Sequence, residues 1–169
     1  MTETLSPTLP PDVEALVTQV LKAACDRELK LVTAESCTGG LLASLLTDVD
    51  GSAHAFERGF VTYTDEVKSE LLDVPGDIIR RHTAVSAPVA AAMARGALAR
   101  SRGDISLAVT GFAGRGARDE EPGLVYFGMV SRGQDPRVDE CHFGDVGRGE
   151  VRLACLRHAL EMLRDALDA

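Results

Sequence analysis

The residues best equipped for chemistry are Glu35-Ser36-Cys37-Thr38-Gly39-Gly40. They follow a short β-leaning run, Lys30 to Ala34, and precede Leu41 to Leu46, which reads as helix. A serine on a sharp strand-to-helix turn can project its hydroxyl. The N–H groups that open the helix can meet a developing oxyanion or a phosphate. The same residues also suit an ordinary capped turn, because Ser and Thr lead at N-caps and glycine eases close packing. The segment is neither a GxSxG elbow nor a phosphate-binding Walker A or GxGxxG loop.

Two further segments could complete a site. In Tyr63-Thr64-Asp65-Glu66-Val67-Lys68, a lysine near a helix start lies behind a strand-end tyrosine. Deprotonated by burial, it could activate the serine; left in water, it is a surface charge. Thr110-Gly111-Phe112-Ala113-Gly114-Arg115-Gly116 has the glycine density of a backbone that approaches a ligand closely, or of a flexible connector. Arg148 and Arg152, four apart at a helix start, share a face and form a phosphate grip or a pair of solvated charges. His54, His82, His142 and His158 have no metal-ligand spacing, and Cys25, Cys37, Cys141 and Cys155 form no CxxC pair. The cysteines read as small buried or half-buried side chains, and no metal or cofactor is expected.

These segments need a frame. Asp12 is a candidate N-cap for a helix in which Val13, Leu16, Val17, Val20, Leu21 and Ala24 recur at helical spacing to about Glu28. Strands are predicted at Lys30 to Ala34, Glu57 to Tyr63, Ile105 to Val109, Leu124 to Ser131 and Arg137 to Phe143. Thr64 caps a predicted helix through Leu71, and a short helical piece covers Asp77 to His82. Ser86 caps an Ala-rich helix to about Ser101, whose small side chains imply close packing on a sheet. Thr110 to Pro122 is expected as a loop, and the last helix begins near Arg148. Helices alternating with strands, then a hairpin, predict an α/β fold: a single-domain three-layer α/β/α sandwich with a mixed sheet. Residues 1–11 read as a flexible leader and 12–169 as the domain.

Composition narrows the class of function. The chain of 169 residues, 45% apolar and 26% charged, is that of one ordinary globular domain. A net charge of −8 disfavours a broad nucleic-acid surface, which needs Lys and Arg to displace counterions, but leaves room for a local phosphate pocket. The polar, proline-rich start has no signal-peptide character and no apolar run approaches a membrane span. No nucleic-acid or membrane partner is expected, and the cytoplasm is the expected location.

At its chemical segments the chain resembles the CinA C-terminal domain family. Ala34 to Gly40 matches the family's Ala-Glu-Ser-Cys-Thr-Gly-Gly, Leu46 to Ser52 its Leu-Thr-Asp-x-x-Gly-Ser, and Gly59 to Lys68 its Gly-x-Val-Thr-Tyr-Ser-Asn-Glu-x-Lys. Ala84-Val85-Ser86, Ala108 to Gly114, Gly123 to Tyr126, and Arg148 with Val151-Arg152 continue the match in order, over about residues 13 to 165. The chain departs from the pattern at Gly114 to Pro122, where the loop is shorter and Arg115 replaces a proline, and at Asp65, which replaces an asparagine.

The resemblance implies a hydrolase of pyridine-nucleotide salvage that converts nicotinamide mononucleotide and water to nicotinic acid mononucleotide and ammonia. It makes Ser36 the nucleophile and Lys68 its general base, with Tyr63, Thr110 and Arg148 orienting the dyad or holding substrate. Glu35, Cys37, Thr38, Gly39, Gly40, Gly111 and Gly114 are the further expected substrate-binding positions. The phosphate is expected at the Gly111 to Gly116 loop and Arg148, or alternatively at the helix start of Gly39-Gly40. The implied fold is the same three-layer sandwich, often dimeric, so a homodimer is expected. The alternative is a nucleotide-binding or regulatory protein that keeps the pocket and has lost turnover.

Overall fold

In the computed structural model, which describes residues 9–116 and 120–168, strand β1 (Leu31–Glu35) is buried along its whole length. It pairs in parallel with β2 (Phe56–Val61) on one side and β3 (Ile105–Gly111) on the other. Strands β4 (Leu124–Ser131) and β5 (Arg137–His142) add antiparallel, giving the order β2-β1-β3-β4-β5. Most of the expected leader, residues 1–8, and Ala117, Arg118 and Asp119 of the glycine-rich loop lie outside the described residues.

Side chains alternate between the two faces of the sheet, as the period of two requires. Leu107 and Val109 enter a core with α1 (Pro11–Asp26), α2 (Leu41–Leu45) and α6 (Arg148–Asp168). Val32, Ala34 and Ala108 face the opposite core, beneath α3 (Asp65–Leu72), α4 (Gly76–His82) and α5 (Ala87–Ala99). A mixed sheet between two helical layers is the predicted α/β/α sandwich. The Ala-rich α5 packs closely, as expected: a Cβ on Gly128 of β4 would lie 2.2 Å from the carbonyl oxygen of Ala90.

Three local expectations change. Helix α1 begins at Pro11 behind Pro10, so Asp12 lies inside its first turn, where its carboxylate pairs with Arg157 at 2.6 Å instead of capping. A proline tolerates the first helical position because its missing N–H would be unpaired there anyway. Ser86 sits at the cap position of α5, but its hydroxyl donates to the Thr83 carbonyl at 2.9 Å. Strand β3 runs two residues beyond Val109, because Thr110 and Gly111 keep pairing with Tyr126 and Val125. Thr110 is therefore a strand residue.

This topology decides where a site can form. β1, β2 and β3 are parallel, so their carboxyl ends reach one edge of the sheet. Two antiparallel steps make β5 run in the β3 direction, which delivers the start of α6 to that same edge. Ser36, Lys68, Thr110 and Arg148, scattered along the sequence, thus converge.

Candidate active site

The turn after β1 is built around a buried carboxylate. Glu35 accepts from the N–H groups of Gly40 (3.1 Å), Leu42 (3.0 Å) and Ala43 (2.8 Å), so it caps α2 from inside the protein. Gly39 and Gly40 have φ values of +61° and +94°, a region where a side chain would strain the backbone. From the other side, Arg152 of α6 donates from Nη2 to the Thr38 carbonyl at 2.7 Å. The Ser36 N–H donates to the Val109 carbonyl at 3.0 Å and continues the β3 ladder by one bond. Held on three sides, the turn sets Ser36 at the β1 carboxyl end.

Lys68 arrives from the next strand over. Thr64 caps α3 by accepting the Val67 N–H at 3.3 Å, and Lys68 and Leu72, one turn apart, face inward. Lys68 is only 1% exposed. Its Nζ donates to Ser36 Oγ at 3.3 Å and to the Thr62 carbonyl at 3.1 Å, with Asp65 Oδ1 at 4.0 Å. Burial pushes the amine below the ordinary lysine range, while the Asp65 carboxylate, with Cys37 and Glu66, pulls it partly back. A lysine so placed can lose its proton and take the one on Ser36.

A cavity of about 310 Å³ opens beside this pair. Its far wall is the Gly111 to Gly116 loop and Arg148, whose guanidinium lies just beyond Gly114. Arg148 is exposed and has no hydrogen-bond or ion-pair partner among the described residues. Arg115 of the loop pairs with Asp145 after β5 (2.5 Å), and Glu121, just before β4, pairs with His142 at the end of β5 (2.7 Å). Thr110 Oγ1 donates to the Ala84 carbonyl at 2.8 Å, which holds Ala84 and Val85 in the cavity wall.

The expected site residues divide accordingly. Ser36, Cys37, Tyr63, Lys68, Thr110, Gly111, Gly114 and Arg148 line the cavity. Glu35, Thr38, Gly39 and Gly40 do not; they build the turn. The Gly39-Gly40 alternative for phosphate is also corrected, because Glu35 already occupies the helix-start N–H groups. Arg152 supports the Thr38 carbonyl and is not a second cavity cation beside Arg148. Tyr63 is 66% exposed at the rim, and its hydroxyl bonds neither Ser36 nor Lys68. Sequence reading missed the wall residues Ala84 and Val85; the signal was present in Ala84-Val85-Ser86, but nothing local ties that segment to Thr110. Among the described residues no cluster of His, Cys, Asp and Glu has the arrangement to hold a metal.

The chain is similar to known proteins along most of its length. The CinA C-terminal domain profile matches residues 13–167. The nicotinamide-nucleotide amidohydrolase PncC of Escherichia coli is 43% identical over 150 residues, covering 87% of this chain and 88% of that protein. A CinA-like protein of Akkermansia muciniphila is 45% identical over 160 residues, covering 94% of this chain and 38% of that protein. The chain spans 29–38% of the length of the longer curated relatives it matches. The crystal structure of the competence/damage inducible protein CihA from Agrobacterium tumefaciens superposes with a TM-score of 0.92 at 42% identity, covering 97% of this chain and all of that one.

Proposed function

We infer that this chain, which belongs to the CinA C-terminal domain family, is an amidohydrolase that removes the amide of nicotinamide mononucleotide. The observation that carries the reading is the buried Lys68 amine 3.3 Å from Ser36 Oγ, in the wall of a cavity with an unpaired arginine opposite. The likeness to the E. coli amidohydrolase, nearly end to end, supplies the substrate class.

The chemistry follows from the groups present. Neutral Lys68 accepts the Ser36 proton as Oγ forms a bond to the carboxamide carbon. The carbonyl becomes an oxyanion, met by N–H groups around Cys37 and Thr38, which have no carbonyl partner among the described residues. Collapse breaks the C–N bond, and the amine leaves as ammonia with the proton from Lys68. Water then gives a proton to Lys68 and its oxygen to the acyl carbon; Oγ departs and recovers that proton. Arg148, at the first turn of α6, would hold the phosphate across the cavity. Tyr63 at the rim would cover the bound nucleotide. On this reading the domain acts in pyridine-nucleotide salvage, as a cytoplasmic homodimer. No helix among the described residues is long and apolar enough to cross a membrane.

The test is ammonia release from nicotinamide mononucleotide by the purified protein. Turnover is expected, and Ser36→Ala should reduce it by at least about 1000-fold while leaving binding by calorimetry largely intact. Binding without any ammonia release by the wild type would replace the enzyme reading with that of a nucleotide-binding protein.

A further inference from the structure

We propose that Phe112 is a specificity-determining residue of the site: its ring meets the pyridinium of the substrate and selects the cationic, oxidised ring over neutral rings of the same shape. The proposal rests on the pyridine-nucleotide reading of the cavity and not on turnover.

Phe112 follows β3 without leaving the sheet. Its N–H donates to the Leu124 carbonyl at 2.9 Å and its carbonyl accepts from the Gly123 N–H at 2.7 Å, so its backbone is pinned to the segment that enters β4. Residues two apart on a strand share a face. Ala108 lies in the core beneath α3, α4 and α5, and Thr110 reaches the Ala84 carbonyl ahead of α5, so Phe112 projects on that side as well. The Ser36–Lys68 pair works on the same side. Ser36 stands level with Thr110, one residue beyond the Glu35–Val109 pair, and Lys68 comes from α3. Phe112 is two residues farther out, about 7 Å along the strand, and lines the same cavity.

The ring has no packing role among the described residues. Phe56, Phe127 and Phe143 pack in one core and Phe60 in the other, whereas half-buried Phe112 belongs to neither. The aromatic contacts among those residues join Phe127 to Phe143 and to His158, and leave Phe112 out. An aromatic side chain on a fixed backbone, outside both cores, offers a flat apolar face to whatever enters the cavity. For attack, the carboxamide carbon must come within about 3–3.5 Å of Ser36 Oγ. The ring that bears the carboxamide is then the next group out, on the way to Phe112. That ring is a cation, and an aromatic face attracts a cation within about 6 Å of its centroid. A neutral ring, such as the reduced dihydropyridine, gains only the apolar contact. Asp65 and Glu120 also line the cavity and favour a cation there whichever side chain stands at 112, so the test must isolate the ring.

Calorimetry on the Ser36→Ala protein, which leaves the ligand intact, compares nicotinamide mononucleotide with a neutral isostere in which a phenyl ring carries the same carboxamide and ribose phosphate. The cation should bind more tightly. Phe112→Leu in that background keeps an apolar side chain and should cut the ratio of the two affinities by about 5- to 30-fold, the neutral isostere being much less affected. Phe112→Trp should preserve the ratio, because indole is the stronger cation partner. The proposal is overturned by equal affinities in the parent protein, by equal losses for both ligands in Phe112→Leu, or by a preference that survives Phe112→Leu and disappears with Tyr63→Leu. If Phe112→Leu fails to fold, the ratios in the parent protein and in Phe112→Trp decide in its place, and a ratio lost in Phe112→Trp overturns the proposal. A wild type that binds the nucleotide with this preference but releases no ammonia overturns only the enzyme reading; one that releases ammonia and shows no preference overturns only the role of Phe112.

Discussion

Lys68 Nζ lies 3.3 Å from Ser36 Oγ and 3.1 Å from the Thr62 carbonyl, so the lysine is tied at once to the turn after β1 and to the residue that follows β2. The Thr62 N–H in turn donates to the Glu35 carbonyl at 2.7 Å. The serine and lysine are therefore spaced by the backbone pairing of β1 with β2, and their side chains need little freedom to find each other. Such preorganisation is what a general base requires.

The amine should set the pH dependence. Because burial depresses its pKa, kcat/KM should rise with pH through a value below the usual lysine range of about 10.4. Asp65→Asn removes the carboxylate that favours the ammonium and should move the rising limb to lower pH. A profile unmoved by Asp65→Asn, or flat across the window, would remove Lys68 from the base role. Stability should show the opposite face of the same shift. Between the depressed folded pKa and the unfolded value, the unfolded chain binds more protons, so stability rises with pH there. Lys68→Met should abolish turnover and raise the melting temperature most at pH values below that window.

Glu35 should behave as a structural acid. Glu35→Gln keeps one acceptor but turns an NH2 group toward donors, leaving helix-start N–H groups unpaired. A loss of about 2–4 kcal/mol in urea unfolding is expected, together with reduced turnover as the Ser36 turn loosens. A variant as stable as the wild type, with only its KM changed, would return Glu35 to the substrate-binding set.

Arg148 and Arg152 should separate kinetically. Arg148→Ala removes a cavity cation that has no partner among the described residues, so KM should rise about tenfold or more, with kcat little changed. Arg152→Ala releases the Thr38 carbonyl and should lower kcat instead. Steady-state kinetics on the two variants read the split directly, and identical profiles would contradict it.

Gly96 couples packing to the site. A Cβ there would lie 1.9 Å from the carbonyl oxygen of Leu72, on the helix that carries Lys68. Gly96→Ala should therefore cost about 1–2 kcal/mol net, overpacking outweighing the gain in helix propensity. It should also lower kcat by displacing α3. Thermal unfolding and kcat measured on one preparation check both, and an unchanged or raised melting temperature would show that the helices part freely.

Much of this was legible in the chain itself. Runs rich in apolar, β-branched and aromatic residues located the five strands of the described residues to within a residue or two, and Thr64 announced the start of α3, because both signals are local. The ordered segments Ala34 to Gly40, Gly59 to Lys68 and Ala108 to Gly114 named the serine, the lysine and the glycine loop. What tertiary structure alone decided was how each residue is used. Glu35 read as a substrate ligand from the family resemblance; burial and three N–H groups make it a cap. Arg148 and Arg152 share a helix face, yet one points into the cavity and the other into the turn. Lys68 read as a surface charge or a base, and its removal from water rules out the first. Hydrogen-bond partners and solvent access depend on residues many positions away in the chain, and the strand order β2-β1-β3-β4-β5 is what brings them together.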